Sequence, residues 1–378
     1  MTQQGKRELL QAIRPRYLKA NKAGKQHILD EFVAATGYHR KYAIRLLHHG
    51  AQPKGLRKRG RSKVYQGEVV TILEQIWELC GRICSKRLKP FLPEIVAVLE
   101  RHGELVLTPE VKQLLLTMSR ATIDRCLKSA RFPERQGLTT TKPGSLLKSV
   151  IPVRTFAEWD DAQPGFVEVD LVAHCGETTQ GQYLCTLTVT DISTGWTECL
   201  ALSNKTQAAV SQAITELGKR LPFRLLGIDS DNGSEFINDT LYRHCLAEQI
   251  TFTRCRPYRK NDQAHVEQKN WSVVRKLVGY DRFETEAELQ LLEVIYADWR
   301  LYVNFFQPVV KLVEKRREGS KVTKRYDQAT TPYRRVLTSP QVRLEDKAAL
   351  TYRYLRLNPV TLRDRIDANT AQLLKISG

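Results

Sequence analysis

The run GFVEVDLVAHC, Gly165–Cys175, is dense in β-branched and apolar residues, and its spacing predicts a strand. Asp170 falls in the middle of it, between Val169 and Leu171, where a carboxylate faces a desolvation cost unless something compensates. Glu168 lies two residues earlier, on the same side of the strand. Two further β-rich runs follow, Tyr183–Ile192 and Trp196–Leu202, separated by glycine-containing turns, so three successive strands are predicted as antiparallel hairpins. Beyond them, Thr206–Leu221 is helical, with Ala209, Val210, Ala213, Ile214 and Leu217 on one face. Arg224–Asp229 reads as a fourth strand, Glu235–Gln249 as a helix, Ile250–Cys255 as a fifth strand and Gln263–Val278 as a helix. The order β-β-β-α-β-α-β-α predicts an α/β core, a mixed five-stranded sheet with helices on its faces.

Two more acids fall at telling positions of that scheme. Asp231 follows the fourth strand in SDNGSEF, Ser230–Phe236, where Asn232-Gly233 signals a tight turn at the strand's carboxyl end. Glu267 lies on the last helix, in DQAHVEQKN, Asp262–Asn270. If strands one and four are neighbours and the last helix crosses them, Asp170, Asp231 and Glu267 converge. Converging carboxylates repel, and hard divalent cations resolve the repulsion because they take oxygen ligands. Two such ions about 4 Å apart activate an attacking oxygen and stabilise a leaving oxygen at one phosphorus. Taken singly, each acid has a plainer reading. Asp170 reads as a buried structural acid, Asp231 as a turn-former with Asp229 as substitute ligand, and Glu267 as a solvated helix residue.

Together these motifs resemble the DDE transposase and retroviral-type integrase superfamily, in particular bacterial insertion-sequence transposases with an integrase catalytic core. Ser230–Phe236 looks like the second catalytic motif. Thirty-five residues separate Asp231 from Glu267, Asp170 lies about sixty residues earlier in a first strand, and Asn270 follows the glutamate by three. The resemblance implies a ribonuclease-H-like fold, dependence on two Mg²⁺ or Mn²⁺ ions per site, nicking at element ends and attack of a 3′-hydroxyl on target DNA. Carried over, Asp170 bridges both metals, Asp231 holds one and Glu267 the other. Where the family places a basic residue about two turns after the glutamate, this chain has Val274, with Lys269 and Arg275 the nearby bases. A nuclease of the same fold that only hydrolyses, and a catalytically inactive DNA-binding regulator, are the competing readings.

The flanks carry DNA-gripping candidates. Residues 1–52 are read as a helix-turn-helix domain broken at Thr36-Gly37-Tyr38, its second helix bearing Arg40, Lys41 and Arg45; a plain helical hairpin has the same pattern. Residues 53–65 form a basic linker with Arg57, Lys58, Arg59 and Arg61, suited to phosphates or to nothing but solvent. Residues 66–131 read as a second helical, helix-turn-helix domain in which Ser119 caps a helix carrying Arg120 and Arg125. Residues 132–162 are a proline-bearing linker, 163–285 the catalytic core and 286–378 a basic C-terminal region opened by an amphipathic helix. Within the core, Arg254, Arg256, Arg259 and Lys260 precede the last helix and either track a DNA backbone or face solvent. Tyr258 either stacks on a base or packs. Lys269, Asn270 and Arg275 follow the glutamate on its helix and are candidate DNA contacts. His174 and His265 are expected near the site.

Charge supports this layout. The net charge of +19 divides into +17 for residues 1–150, −7 for 151–300 and +9 for 301–378. Basic flanks attract a polyanion, and an acidic middle repels one unless cations intervene. The eight cysteines form no CxxC pair, which argues against a disulfide framework or zinc knuckle; Cys80 and Cys84, four apart, are read as sharing a helix face. No apolar run is long enough for a membrane span and the first ten residues lack a secretory pattern, so a bacterial cytoplasmic, nucleoid-associated protein is expected. Its expected partners are double-stranded DNA, as element ends and as target, and further copies of itself as a homodimer or larger assembly. Affinity for duplex DNA should fall about a thousandfold or more between 50 and 200 mM salt, as for proteins that neutralise six or more phosphates. A flat salt titration would exclude the basic flanks as the source of grip.

Overall fold

The computed structural model describes residues 1–50, 64–131, 163–231, 233–255 and 264–377, apart from the side chains of Ala264, His265, Glu267, Lys315 and Arg317. Both expected linkers, with Arg57, Lys58, Arg59 and Arg61, fall almost wholly outside the described residues. The chain forms two compact units, residues 1–64 and 65–378.

The first unit is three helices, α1 (Gln3–Lys19), α2 (Lys22–Thr36) and α3 (Arg40–His49), around Leu10, Tyr17, Phe32, Ala43 and Leu47. Asn21 caps α2 by accepting from the Gly24 amide at 2.9 Å. Gly37 ends it with φ 65°, a left-handed conformation that glycine adopts without strain. The helix break therefore falls at the expected glycine.

In the second unit, α4 (Glu68–Leu79), α5 (Ser85–Arg101), α6 (Pro109–Thr117) and α7 (Arg120–Cys126) share one continuous core with the sheet and with the C-terminal helices. The divisions expected near 131 and 285 thus mark changes of element type within one core. Ser119 caps α7 through the Thr122 amide. Cys80 lies beyond the end of α4 and is buried, whereas Cys84 precedes α5 and is exposed. The intervening turn at Arg82 takes them off any common helix face, correcting that expectation. All eight cysteines are free thiols.

The sheet has the order β3-β2-β1-β4-β5, formed by β1 (Phe166–Ala173), β2 (Cys185–Asp191), β3 (Thr197–Leu202), β4 (Gly227–Ser230) and β5 (Thr251–Arg254). The first three strands are antiparallel neighbours; β1–β4 and β4–β5 are parallel. This is the predicted mixed ribonuclease-H-like sheet. Connections α8 (Gln207–Arg220) and α9 (Asp239–Ala247) return the chain to β4 and β5. α9 begins four residues later than predicted because Asn238 is its cap, accepting from the Leu241 amide at 2.8 Å. Gly165 enters β1 with φ 117°, and a Cβ there would lie 2.4 Å from the Arg224 carbonyl oxygen, so only glycine fits beside the approach to β4.

β2 is buried at every position, so both faces of the sheet centre are covered. One face carries Glu168, Asp170 and Val172 of β1 opposite Thr190, Thr188 and Thr186 of β2. α12 (Glu286–Phe306) lies on this face, where the Tyr296 and Thr186 hydroxyls meet at 2.7 Å. Beside them the helix predicted over 263–278 runs as α10 (Ala264–Lys269), a π-helical turn (Asn270–Arg275) and α11 (Lys276–Val278). The Trp299 indole of α12 donates to the Val273 carbonyl in the π turn at 2.7 Å. The C-terminal region adds a hairpin, β6 (Leu312–Glu318) and β7 (Lys321–Tyr326), then α13 (Pro332–Thr338), α14 (Leu344–Arg356) and α15 (Pro359–Ile376). No helix of the described residues is long and apolar enough to cross a membrane.

His174, just past β1, is fully buried with Nε2 2.7 Å from the Thr186 hydroxyl. Burial, helped by the Arg275 charge, pushes its pKa down to about 3. Unfolded, it titrates near 6.5. Between about 6.5 and 3 the unfolded chain therefore binds a proton that the native state refuses, and stability falls as pH drops through that window. Replacing His174 by Gln should remove up to one proton, about 1.4 kcal/mol per pH unit, from the slope of unfolding free energy against pH. Urea titrations across this range that show an unchanged slope would mean that His174 does not stay neutral in the fold.

Candidate active site

Val169 of β1 pairs with Ser230 of β4, and Asp170 and Asp231 each follow one residue later. Parallel neighbours run about 4.8 Å apart, so the two acids stand side by side where β4 ends. Asp170 Oδ1 accepts from the Leu171 amide at 2.8 Å, and its Oδ2 accepts from Asn270 Nδ2 at 2.6 Å. Asp231 Oδ1 accepts from the Gly233 amide at 2.8 Å. A Cβ on Gly233 would meet that same oxygen at 2.8 Å and the Glu235 carboxyl carbon at 2.7 Å, so the turn presenting Asp231 requires glycine.

The helix is brought to these strands by two bonds. Glu168, buried on the face shared with Asp170, accepts from the Val266 amide at 2.9 Å, in the first turn of α10. Helix-start amides have no partner within the helix, and a buried carboxyl needs donors, so each satisfies the other. One turn on, Asn270 reaches Asp170. Glu267 follows Val266 and precedes Asn270 by three, which places its backbone position on the helical face that Asn270 turns toward β1; its side chain lies outside the described residues.

Asp170 and Asp231 are half-buried oxygen donors. Beside them, Asn270 Oδ1 is buried with no protein partner among the described residues. A set of hard oxygens with an unsatisfied acceptor fits a divalent cation such as Mg²⁺. Asp229, weighed as a substitute ligand, is instead fully buried inside β4, opposite Glu168, and accepts from the Thr253 hydroxyl at 2.7 Å.

The basic candidates separate into surface and interior. Arg40, Lys41 and Arg45 are exposed on α3, and Arg120 and Arg125 on α7. Lys269 is not placed for DNA as expected. Its ammonium is buried, donates to the Gly195 carbonyl at 3.2 Å, and has its pKa pushed down to about 8 by burial and then by Arg87. Arg275 is likewise spent internally, donating to the Ala173 carbonyl at 2.7 Å and to Gly279 at 3.3 Å. Arg254 is buried at the end of β5, opposite Ser230, which removes it from a DNA-facing loop. Arg256, Tyr258, Arg259 and Lys260 lie outside the described residues, as does the His265 side chain.

Sequence reasoning set Glu168 beside Asp170 but gave it no task, because its partner Val266 is 98 residues away. A second feature without a sequence signal is a cleft of about 840 Å³ edged by Arg87, Lys269, Trp271, Lys276 and Lys311.

Residues 160–260 match the family model described as integrase core domain. The chain is 45% identical over 330 residues to the uncharacterized protein y4rM of Sinorhizobium fredii (strain NBRC 101917 / NGR234), which covers 87% of this chain and 94% of that protein. Among solved structures, the catalytic core domain of BIV integrase aligns at 19% identity and a TM-score of 0.31, covering 45% of this chain and 91% of that one.

Asn270 holds Asp170 through its amide nitrogen, so Asn270→Ala should weaken Mn²⁺ binding about tenfold to a hundredfold, the usual cost of losing an outer-shell partner. Calorimetric titration with Mn²⁺ measures this. Unaltered affinity with an intact fold would show that Asn270 has no part in shaping the metal site.

Proposed function

The chain belongs to the DDE transposase and retroviral-type integrase superfamily, and we propose that it is a transposase that nicks DNA at insertion-sequence ends and joins the freed 3′-hydroxyl to target DNA. The observation that carries this reading is the placement of Asp170 and Asp231 at adjacent positions of β1 and β4, with the helix bearing Glu267 tied to β1 through Glu168 and Asn270. Oxygen donors from a strand and a turn thereby stand side by side where β4 ends, and the helix that carries Glu267 is anchored next to them.

In this reading Asp170, Asp231 and Glu267 would hold two divalent ions between them. When bound, the ions supply a more acidic attacking water or 3′-hydroxyl and offset charge on the leaving oxygen. The protein's own work is placement. The Leu171 amide and Asn270 fix the two oxygens of Asp170, the Gly233 amide fixes Asp231, and the Glu168–Val266 bond fixes the helix angle. Exposed cations, among them Arg40, Lys41 and Arg45 on α3 and Arg120 and Arg125 on α7, are the candidates for gripping duplex DNA. Joining two element ends calls for at least two copies of the chain on DNA.

The test is strand transfer by the purified full chain in Mg²⁺, using an oligonucleotide with an element end and a free 3′-hydroxyl. Asp170→Asn, Asp231→Asn and Glu267→Gln should each reduce joining by about a thousandfold or more, roughly 4 kcal/mol of lost charge stabilisation, while leaving duplex binding in place. Full joining by Asp231→Asn would refute the active-site assignment. Cleavage without any joined product would mark a hydrolytic nuclease instead.

A further inference from the structure

The cleft of about 840 Å³ lies within the second unit and is lined from α4, α5, α12, α15 and the π turn. Two acids line it, and each is held by an arginine four residues away in the sequence, Glu78 by Arg82 at 3.1 Å and Asp367 by Arg363 at 2.8 Å. The lining adds five further cations, Lys86, Arg87, Lys269, Lys276 and Lys311, and no further acid. Cations gathered around one hollow repel one another and draw in an anion.

Lys269 takes no place on the outer surface, where a duplex could reach it, yet it lines this hollow together with Gly195, which accepts from its ammonium at 3.2 Å. The residue is only 8% exposed. An ammonium has three N–H groups to give, and the Gly195 carbonyl is the one partner of this one among the described residues. Arg87 stands close enough for its charge to act on it. A buried cation with donors to spare and a second cation beside it gains from an anion what the fold does not supply. Trp271 adds another kind of contact. Its indole is 51% exposed, and the Lys276 ammonium stands 6.0 Å from the ring centre. A lone exposed tryptophan needs no explanation, but this one lies on the lining of a cationic cleft.

We propose that this cleft seats a short stretch of single-stranded DNA, a phosphate against Arg87 with the Lys269 charge beside it and a base on the Trp271 ring. This rests on the reading of the chain as a DNA-joining enzyme, since nicking at an element end frees a strand. Cations that track a backbone and an aromatic face that stacks a base are the two components of a single-strand site. Bases inside a duplex have their faces taken by their neighbours, so an indole in a cleft selects an unpaired strand. Asn270, which holds Asp170, stands between Lys269 and Trp271 in the sequence. One helix therefore serves both the acids and the cleft.

The experiment measures binding of the full chain to a fluorescent oligothymidylate of about ten nucleotides, within the usual span of single-strand sites, and to a duplex, with thermal unfolding followed alongside. Trp271→Ala should weaken oligothymidylate binding about fivefold to a hundredfold, the usual loss of one stacked base. Arg87→Gln should lower the salt slope for the single strand by about 0.7, one phosphate no longer neutralised. Both should leave duplex affinity and melting temperature close to those of the parent. The triple Arg40→Gln, Lys41→Gln and Arg45→Gln on α3 should do the reverse, weakening the duplex and sparing the oligothymidylate. Oligothymidylate should also quench tryptophan emission in the parent more than in Trp271→Ala. Unchanged single-strand affinity in both cleft variants, an equal loss for strand and duplex, or a loss that tracks a fall in melting temperature overturns the proposal. So does thymidine monophosphate that displaces the oligothymidylate at equal concentration, which would mark a site for free nucleotides. A parent protein that binds neither strand nor duplex overturns the DNA-joining reading as well, whereas one that joins DNA and is indifferent to both cleft variants overturns the cleft alone.

Discussion

The amide of Val266 donates to the carboxyl of Glu168, and the geometry of the site depends on that bond. It links a strand to a helix 98 residues later, in the interior, where water offers no alternative partner. A hydrogen bond of this kind contributes about 0.5–1.5 kcal/mol, and leaving either side unpaired in the interior costs about 1–3 kcal/mol. Because Asp170 lies two residues along β1 and Glu267 one residue along α10, the bond fixes the distance scale between the acids. Asn270 supplies a second point of attachment, and the indole of Trp299, donating to Val273, a third from the opposite side. Three attachments along one helix prevent it from pivoting about any of them.

The acidic middle of the chain takes on a definite shape in this arrangement. Glu168 and Asp229 are direct partners across β1 and β4, both buried and both supplied with donors from neighbouring elements. Asp170 and Asp231 are the next pair along the same two strands and are half-exposed. Acids thus run along β1 and β4 from a fully buried pair that serves the fold to a half-buried one where β4 ends. Glu198 on β3 belongs to the interior as well, held by Arg300 of α12 at 2.5 Å.

The sequence made the sheet and two acids legible because their signals are local: β-branched runs, an Asn-Gly turn and a fixed gap. Three features were illegible for physical reasons. Lys269 reads as surface because lysine is charged, yet Gly195 offers a carbonyl from a loop 74 residues away and the surrounding helices exclude water. The common core of α4–α7 with α12–α15 was invisible because an amphipathic stripe states that a face is buried, never against what. Tyr354 and Arg334 on Glu94, and Gln307 on the Cys80 carbonyl, are contacts between segments more than two hundred residues apart. The π turn was hidden because NWSVVR has nothing that distinguishes it from an ordinary helix; its widened geometry is held by tertiary partners such as Trp299.

The π turn also resets which residues of this helix face the first strand. An α-helix comes back to the same face after seven residues, which from Glu267 would be Val274. Bonding from i to i+5 lengthens one turn by one residue, so the face returns at Arg275. Arg275 does reach back to the first strand, at the Ala173 carbonyl. A helical turn that has absorbed an extra residue shifts the phase of everything after it, which is why Arg275, and not Val274, meets the first strand.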